Sequence, residues 1–215
     1  MNNVAFARRM YYYIRMKTTI ERRMRHEVAK GGVLVRTDLQ KRGLRGNTLS
    51  EMAAKGKLHR VAHGVYVPVV AEQSEWFDYE VAARVVPKGV FTLRSALRLH
   101  NLTDENPLQM TMAIPQDAHA AKSYLPITFT YMKPELIASD VEIRGEGDHQ
   151  IKVFSLERTL VECFKARNKI GLQVCLDALN EAIQQKRINW NHLWTAMNRC
   201  RMTRVMQPYL EGRMA

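Results

Sequence analysis

Residues 31–68 decide the fold of the first part of this chain, and they read GGVLVRTDLQKRGLRGNTLSEMAAKGKLHRVAHGVYVP. A short helix is expected to open at Thr37, whose hydroxyl can cap the first backbone amides. It is expected to end at Gly43, because glycine accepts the left-handed conformation that closes a helix. A second helix is predicted over residues 46–55. Its apolar residues recur at the spacing of one helix face: Leu49, Met52 and Ala53.

Two short strands are predicted after the second helix. Short apolar runs occupy residues 58–61 and 65–67, with His63 and Gly64 as the turn between them. Residues 33–35 predict a further short strand that pairs with this hairpin. Helix, tight turn, helix and β-hairpin is the order of a winged helix-turn-helix, whose second helix lies in the major groove of DNA. The same pattern also fits a small packing domain with no nucleic-acid role.

The basic charge of the chain is concentrated in the same region. The whole chain has 33 Lys and Arg residues against 21 Asp and Glu residues. Residues 1–70 hold 15 of the basic and 4 of the acidic residues, whereas residues 71–215 hold 18 and 17. Such a surplus favours contact with phosphates, because the release of counterions drives that binding. An acidic membrane surface or an acidic protein also matches the charge, but neither accounts for the helix-turn-helix spacing.

The residues expected to contact DNA lie on two elements. The second helix and the turn before it supply the candidates Arg45, Asn47, Thr48, Ser50 and Glu51. The hairpin supplies candidates for contact with phosphates or the minor groove: Lys57, His59, Arg60 and His63. No metal site is predicted, because the two histidines of the hairpin have no third ligand near them. No cofactor is predicted either.

The fold class expected from the sequence is α+β, with two domains in 215 residues. Residues 1–70 are predicted to form the winged helix-turn-helix domain with a basic N-terminal extension. Residues 71–215 are predicted to form an α+β domain with a small sheet and a helical C-terminal third, after a linker at about residues 68–74. The first sixteen residues fit a flexible arm, an extra helix or a stretch upstream of the native start.

Local patterns predict the elements of the second domain. Apolar runs, alternating in part, predict strands at residues 110–114, 127–132, 141–144 and 151–154. Helices are expected at residues 75–86, 94–100, 156–169 and 172–186. Ser155, Asn189 and Thr203 are suitable residues to cap helices in the last third of the chain.

The expected compartment is the cytoplasm. Cys163, Cys175 and Cys200 are odd in number and not closely paired, so free buried thiols are favoured over a disulfide framework. No run of 18 apolar residues exists, and a membrane span is therefore not expected. Arginines interrupt the apolar residues near the N-terminus, which does not fit a secretory signal peptide.

Two blocks of sequence resemble the AbiEi family of type IV antitoxins. The first block, residues 31–66, contains GGVLVRTDLQKRGL and then LSEMAAKGKLHRVAHGVY, in the order of motifs that family members share. The second block consists of FTLRSAL at residues 91–97 and of ERTL and CFKARNKIGL between residues 157 and 172. Together the similarities span most of residues 20–185, and the segment RNKIGL makes the resemblance firm.

The resemblance implies a DNA-binding antitoxin rather than an enzyme. Its first domain is expected to bind inverted repeats of double-stranded DNA at its own promoter and to repress its operon. Its second domain is expected to counteract a nucleotidyltransferase-like toxin encoded next to it, without a stable complex. Arg45 stands where the family often has Ser or Thr before the recognition helix, so Asn47 is expected to take over the capping.

One helix face in the second domain has two interpretations. Its charged residues Glu162, Lys165, Arg167 and Lys169 fit an ordinary solvated surface. The three basic residues among them are also the candidates for the surface that opposes the toxin.

Two other classes of function stay open from the residues alone. Asp140 or Glu142, followed by Gln150 and Lys152, loosely matches the acidic residue and E/Q-x-K pattern of a metal-dependent nuclease. Carboxylates of this kind hold Mg²⁺ through oxygen ligands. A solvent-facing hairpin explains the same charges equally well. The second of these classes is a regulator with a ligand-sensing second domain, for which the sequence displays no convergent polar pocket.

Overall fold

The computed structural model of this protein describes residues 22–24, 26–28, 31–45, 47–69, 74–119 and 123–214. These residues form a mixed α+β structure with two small sheets, which confirms the α+β part of the predicted fold class. They divide into two compact units. Counting only described residues, unit 1 lies within residues 1–85 and 122–124, and unit 2 within residues 86–121 and 125–215. Residues 1–21 lie outside the description, so the predicted N-terminal arm stays a prediction.

Unit 1 combines helices with a small antiparallel sheet. Residues 22–24 and 26–28 are helical. They are followed by β1 (Leu34–Val35), α1 (Arg36–Lys41), α2 (Asn47–Ala54), β2 (Leu58–Ala62), β3 (Val65–Pro68) and α3 (Phe77–Val85). The sheet has the order β1-β3-β2, so the strand predicted before the first helix does pair with the hairpin. Helix α3 falls in unit 1, whereas the sequence predicted that the second domain begins at residue 71.

The core of unit 1 lies between the helices and the sheet. Leu49 is fully buried, and the partly buried Met52 and Ala53 pack against the same cluster, as the helical spacing predicts. The cluster also contains Met24, Leu34, Leu39, Leu44, Leu58 and Tyr66. Because one face of α2 is anchored in this core, the opposite face is left exposed.

The turn after α1 fixes how the two helices follow one another. Gly43 has a φ of +76°, its amide donates to Gln40 O, and the Leu44 amide donates to Leu39 O. This pair of bonds is a Schellman motif, and its left-handed residue favours glycine. The predicted end of the first helix is thus confirmed.

The predicted beginning of α1 is wrong by one residue. The helix starts at Arg36, and no side chain caps its first turn. Instead, the Arg36 amide donates to the carbonyl oxygen of Gly64 at 2.8 Å, in the turn between β2 and β3. The first amide of the helix is therefore satisfied by a backbone oxygen of the hairpin, and the expected cap by the Thr37 hydroxyl is wrong.

Unit 2 is built on a five-stranded mixed sheet. Its elements in the first half are β4 (Val90–Phe91), α4 (Leu93–Leu99), β5 (Met110–Pro115), β6 (Ile127–Met132), α5 (Pro134–Ile137), β7 (Val141–Arg144) and β8 (Ile151–Phe154). The strand order is β6-β5-β4-β8-β7, with β7 and β8 forming the predicted antiparallel hairpin. Pairs β4–β8 and β5–β6 are parallel.

The last third of unit 2 is helical, as expected. Its helices are α6 (Leu156–Lys165), α7 (Arg167–Ile170), α8 (Leu172–Gln184), α9 (Trp190–Arg199) and α10 (Thr203–Met214). Ser155 and Asn189 cap α6 and α9, which confirms both assignments. The single helix predicted to residue 169 is instead broken at Ala166, which separates α6 from α7. Thr203 is the first residue of α10 rather than the residue before it.

Candidate nucleic-acid interface

The exposed face of α2 carries most of the polar residues that the sequence selected. Asn47, Ser50 and Glu51 are exposed on it, and Thr48 is half-buried at its flank. Arg45, in the turn before the helix, is also exposed. Since Leu49 holds the other face in the core, these side chains are displayed at the protein surface on a regular helix.

Two hydrogen bonds tie this face to its surroundings. The Ser50 hydroxyl lies 3.1 Å from the buried Tyr66 hydroxyl of β3. Arg36 Nη2 donates to Asn47 Oδ1 at 3.4 Å. Asn47 is the first residue of α2, and its side-chain oxygen accepts from Arg36.

The hairpin presents a second set of exposed polar residues. The exposed residues are Lys57 just before β2, His59 and Arg60 on β2, and His63 in the turn that follows. Gly64 makes this turn possible with a φ of +74°. Arg60 Nη2 lies 3.0 Å from His63 Nδ1, so the two side chains brace the turn. A bulge interrupts the register between Arg60 and Ala62.

The charge of this surface is predominantly positive. Residues 39–69 contain six lysines and arginines and a single acidic residue, Glu51. Asp38, just before this stretch, is paired with Arg84 at 2.5 Å and lies 3.9 Å from Lys41. Arg45, Lys57 and His59 make no side-chain hydrogen bond or ion pair within the described part of the chain. The positive groups of Arg45 and Lys57 are therefore available for an anionic ligand.

Two residues that support this surface are not among those predicted from the sequence. Arg36 and Tyr66 each fix a predicted contact residue, but they lie 11 and 16 positions away from Asn47 and Ser50. No local spacing signals such a bond, because it arises only when the first helix and the sheet pack against α2. In the sequence, nothing distinguished Arg36 from the other basic residues of this region.

The basic residues proposed in unit 2 are placed in different ways. Lys165 and Lys169 are exposed, whereas Arg167 is half-buried and donates to Phe164 O at 3.0 Å. Glu162 is not on a solvated face: it is only 4% exposed, and its Oε1 lies 2.7 Å from Nη2 of the fully buried Arg158. The prediction that Glu162 lies on a solvated face was therefore wrong, because Glu162 is buried beside Arg158, its partner one helical turn earlier.

The nuclease-like residues are not brought together. In the β7–β8 hairpin, Ile143 lies opposite Lys152 and Glu142 lies opposite Val153. Directly opposed residues share a face of a sheet, so Glu142 and Lys152 point to opposite faces. Asp140 is ion-paired with Arg199.

The three cysteines are free thiols. Burial raises the pKa of the Cys163 thiol well above its ordinary value, and it raises those of Cys175 and Cys200 to about 11. All three thiols are therefore protonated near neutral pH. A protonated thiol is a weak nucleophile and a poor metal ligand.

No protein-family model matches the chain, and no curated protein matches it significantly. Within the described ranges, none of the helices combines the length and apolar character that crossing a membrane requires. The same residues contain no group of three or more His, Cys, Asp or Glu side chains placed to share a metal ion.

Proposed function

We propose that this chain is a cytoplasmic DNA-binding antitoxin that represses its own operon. Unit 1 acts as a winged helix-turn-helix, with α2 in the major groove of promoter repeats and the β2–β3 hairpin as the wing. Unit 2 counteracts a nucleotidyltransferase-like toxin encoded in the same operon, without a stable complex. The observation that carries the DNA-binding half is the exposed polar face of α2 beside a basic hairpin.

Three features support this assignment of unit 1. Helix α2 is short and anchored on one face by Leu49, as the recognition helix of a winged helix-turn-helix must be. The hairpin beside it exposes Lys57 and Arg60, which suit the phosphate backbone. Glu51 is the single carboxylate in residues 39–69, so little repulsion opposes the approach of DNA.

The DNA-binding half is tested by substitutions on the two elements. Asn47→Ala is expected to reduce discrimination between promoter and random DNA by about 1–3 kcal/mol, because it removes a base contact. Lys57→Ala is expected to weaken binding to both DNAs similarly and to lower the salt slope by about one, because it removes a phosphate contact. Titrations of labelled duplexes at several salt concentrations measure both effects.

The control for these variants is Lys88→Ala, an exposed lysine of unit 2 that is expected to change neither quantity. If the wild-type protein binds promoter and random DNA equally, the repressor function is rejected. If Asn47→Ala and Lys57→Ala both bind like wild type, DNA does not contact α2 and the hairpin.

The antitoxin half requires a separate test, in cells that carry the protein encoded beside this gene. We expect the double variant Lys165→Glu and Lys169→Glu to lose protection from that toxin, because both exposed charges are reversed. Its binding to promoter DNA is expected to stay unchanged. Growth after toxin induction gives the readout, with Lys88→Glu as the matched charge reversal elsewhere on unit 2. Full protection by the double variant shows that this surface does not oppose the toxin.

A further inference from the structure

Arg36 is held in place at the junction of α1, α2 and the hairpin. Its backbone amide donates to Gly64 O at 2.8 Å, which fixes the start of its side chain against the turn of the hairpin. Its guanidinium reaches the first residue of α2, where Nη2 donates to Asn47 Oδ1 at 3.4 Å. Arg36 is half-buried, and no carboxylate pairs with it in the part of the chain that the structure describes.

This contact decides which side of the Asn47 amide is available to a ligand. A guanidinium only donates hydrogen bonds, so the group that faces Arg36 must be the amide oxygen. The Nδ2 group, with two donors, is left for the exposed side of α2. The other N–H groups of the half-buried Arg36 are donors as well, so Arg36 and the Asn47 Nδ2 group add donors, and no acceptor, to this end of the helix.

The major-groove edges of the bases differ in this respect. Guanine presents two acceptors, N7 and O6, whereas adenine presents the acceptor N7 and the donor N6. An unconstrained asparagine pairs with adenine through both of its amide groups. The Asn47 oxygen keeps a second lone pair, but the guanidinium that uses the first one places a positive charge beside it. That charge disfavours the N6 donor of adenine and favours the N7 and O6 acceptors of guanine.

We propose that Arg36 is a positioning residue that turns Asn47 into a reader of guanine rather than adenine. This inference rests on the proposed DNA-binding function and adds the identity of one base in the operator. Removing the Arg36 guanidinium frees Asn47 Oδ1 to accept from adenine N6. The base preferred at that position then changes, although Asn47 itself is unaltered.

The test is selection of bound duplexes from a library with a randomised central segment, followed by sequencing. Wild type is expected to select a motif with roughly tenfold preference for guanine over adenine at one position. Arg36→Met keeps the aliphatic stem and is expected to reverse that preference at the same position. Asn47→Ala is expected to abolish preference there and to leave the rest of the motif intact.

Arg45→Met is the matched control, because it removes one exposed arginine near the same helix. It is expected to weaken binding with no change of motif. If Arg36→Met selects the wild-type motif with uniformly weaker binding, Arg36 contacts phosphate only and the inference fails. The inference also fails if Asn47→Ala keeps the guanine preference, a result that stands even if Arg36→Met does not fold. A wild-type protein that selects no motif instead rejects the DNA-binding function itself.

Discussion

Replacing Arg158 by methionine is expected to destabilise unit 2 by about 3–5 kcal/mol. Arg158 is fully buried, and its Nη2 lies 2.7 Å from Oε1 of Glu162, which is only 4% exposed. Without the guanidinium, this carboxylate is left in the core with no buried counter-charge. Urea denaturation at neutral pH, followed by far-ultraviolet circular dichroism, measures the loss.

The second variant in this test removes both charges. The double variant Arg158→Met and Glu162→Leu is expected to recover most of the lost stability, because apolar groups replace the buried ion pair. Recovery is favoured here because, among the described residues, no nitrogen of the Arg158 guanidinium has a partner in hydrogen-bonding geometry. A single variant within 1 kcal/mol of wild type contradicts the argument, as does a double variant less stable than Arg158→Met.

The stability of unit 2 is expected to fall by about 2 kcal/mol between pH 7 and pH 4.5 through His100 alone. Burial lowers the pKa of His100 from 6.5 to about 4, and the positive charges of Arg144 and Arg187 act in the same direction. The bond from His100 to Phe154 O and the charge of Glu142 oppose this shift without cancelling it.

The geometry explains why His100 is neutral in the folded protein. His100 Nε2 lies 2.7 Å from Phe154 O, which can only accept, so Nε2 carries the hydrogen. Arg144 Nη2 lies 2.8 Å from Nδ1 and can only donate, so Nδ1 must be unprotonated. Between pH 6.5 and 4, the unfolded chain therefore binds a proton at His100 that the folded chain does not bind. This contribution to stability is complete above pH 6.5 and is lost as the pH falls towards 4.

His100→Gln tests this dependence, because glutamine keeps a donor near Phe154 O without titrating. Its free energy of unfolding is expected to vary about 2 kcal/mol less than that of wild type over the same range. The exposed His192 provides the matched control, and His192→Gln is expected to follow the wild-type curve. Parallel curves for wild type and His100→Gln show that another group titrates.

The elements of unit 1 were predictable because their signals are local. The spacing of Leu49, Met52 and Ala53 defines the buried face of α2, and Gly43 and Gly64 mark positions that need a positive φ. The start of α1 was missed, because the amide of its first residue, Arg36, donates to a carbonyl oxygen of the hairpin and needs no side-chain cap. A cap supplied from another part of the chain leaves no mark in the neighbouring sequence.

The candidate site was likewise predictable only where the signal is local in the sequence. The exposure of Asn47, Ser50 and Glu51 follows from the helical period, once the buried face is known. The bonds that orient them come from Arg36 and Tyr66, which only tertiary packing brings close. Glu162 was misplaced for a related reason: a charged residue is expected in water unless a buried partner is known.

The hydrogen bonds of unit 1 also affect how tightly its surface can bind a ligand. Asn47, Ser50 and His63 are each held by a hydrogen bond to another side chain before any ligand arrives. Ordering a long side chain on association costs about 0.5–1.5 kcal/mol, and that entropy is already lost when the unit folds. A duplex that fits this preorganised surface binds with a smaller entropic penalty, whereas one that does not fit cannot easily remould it.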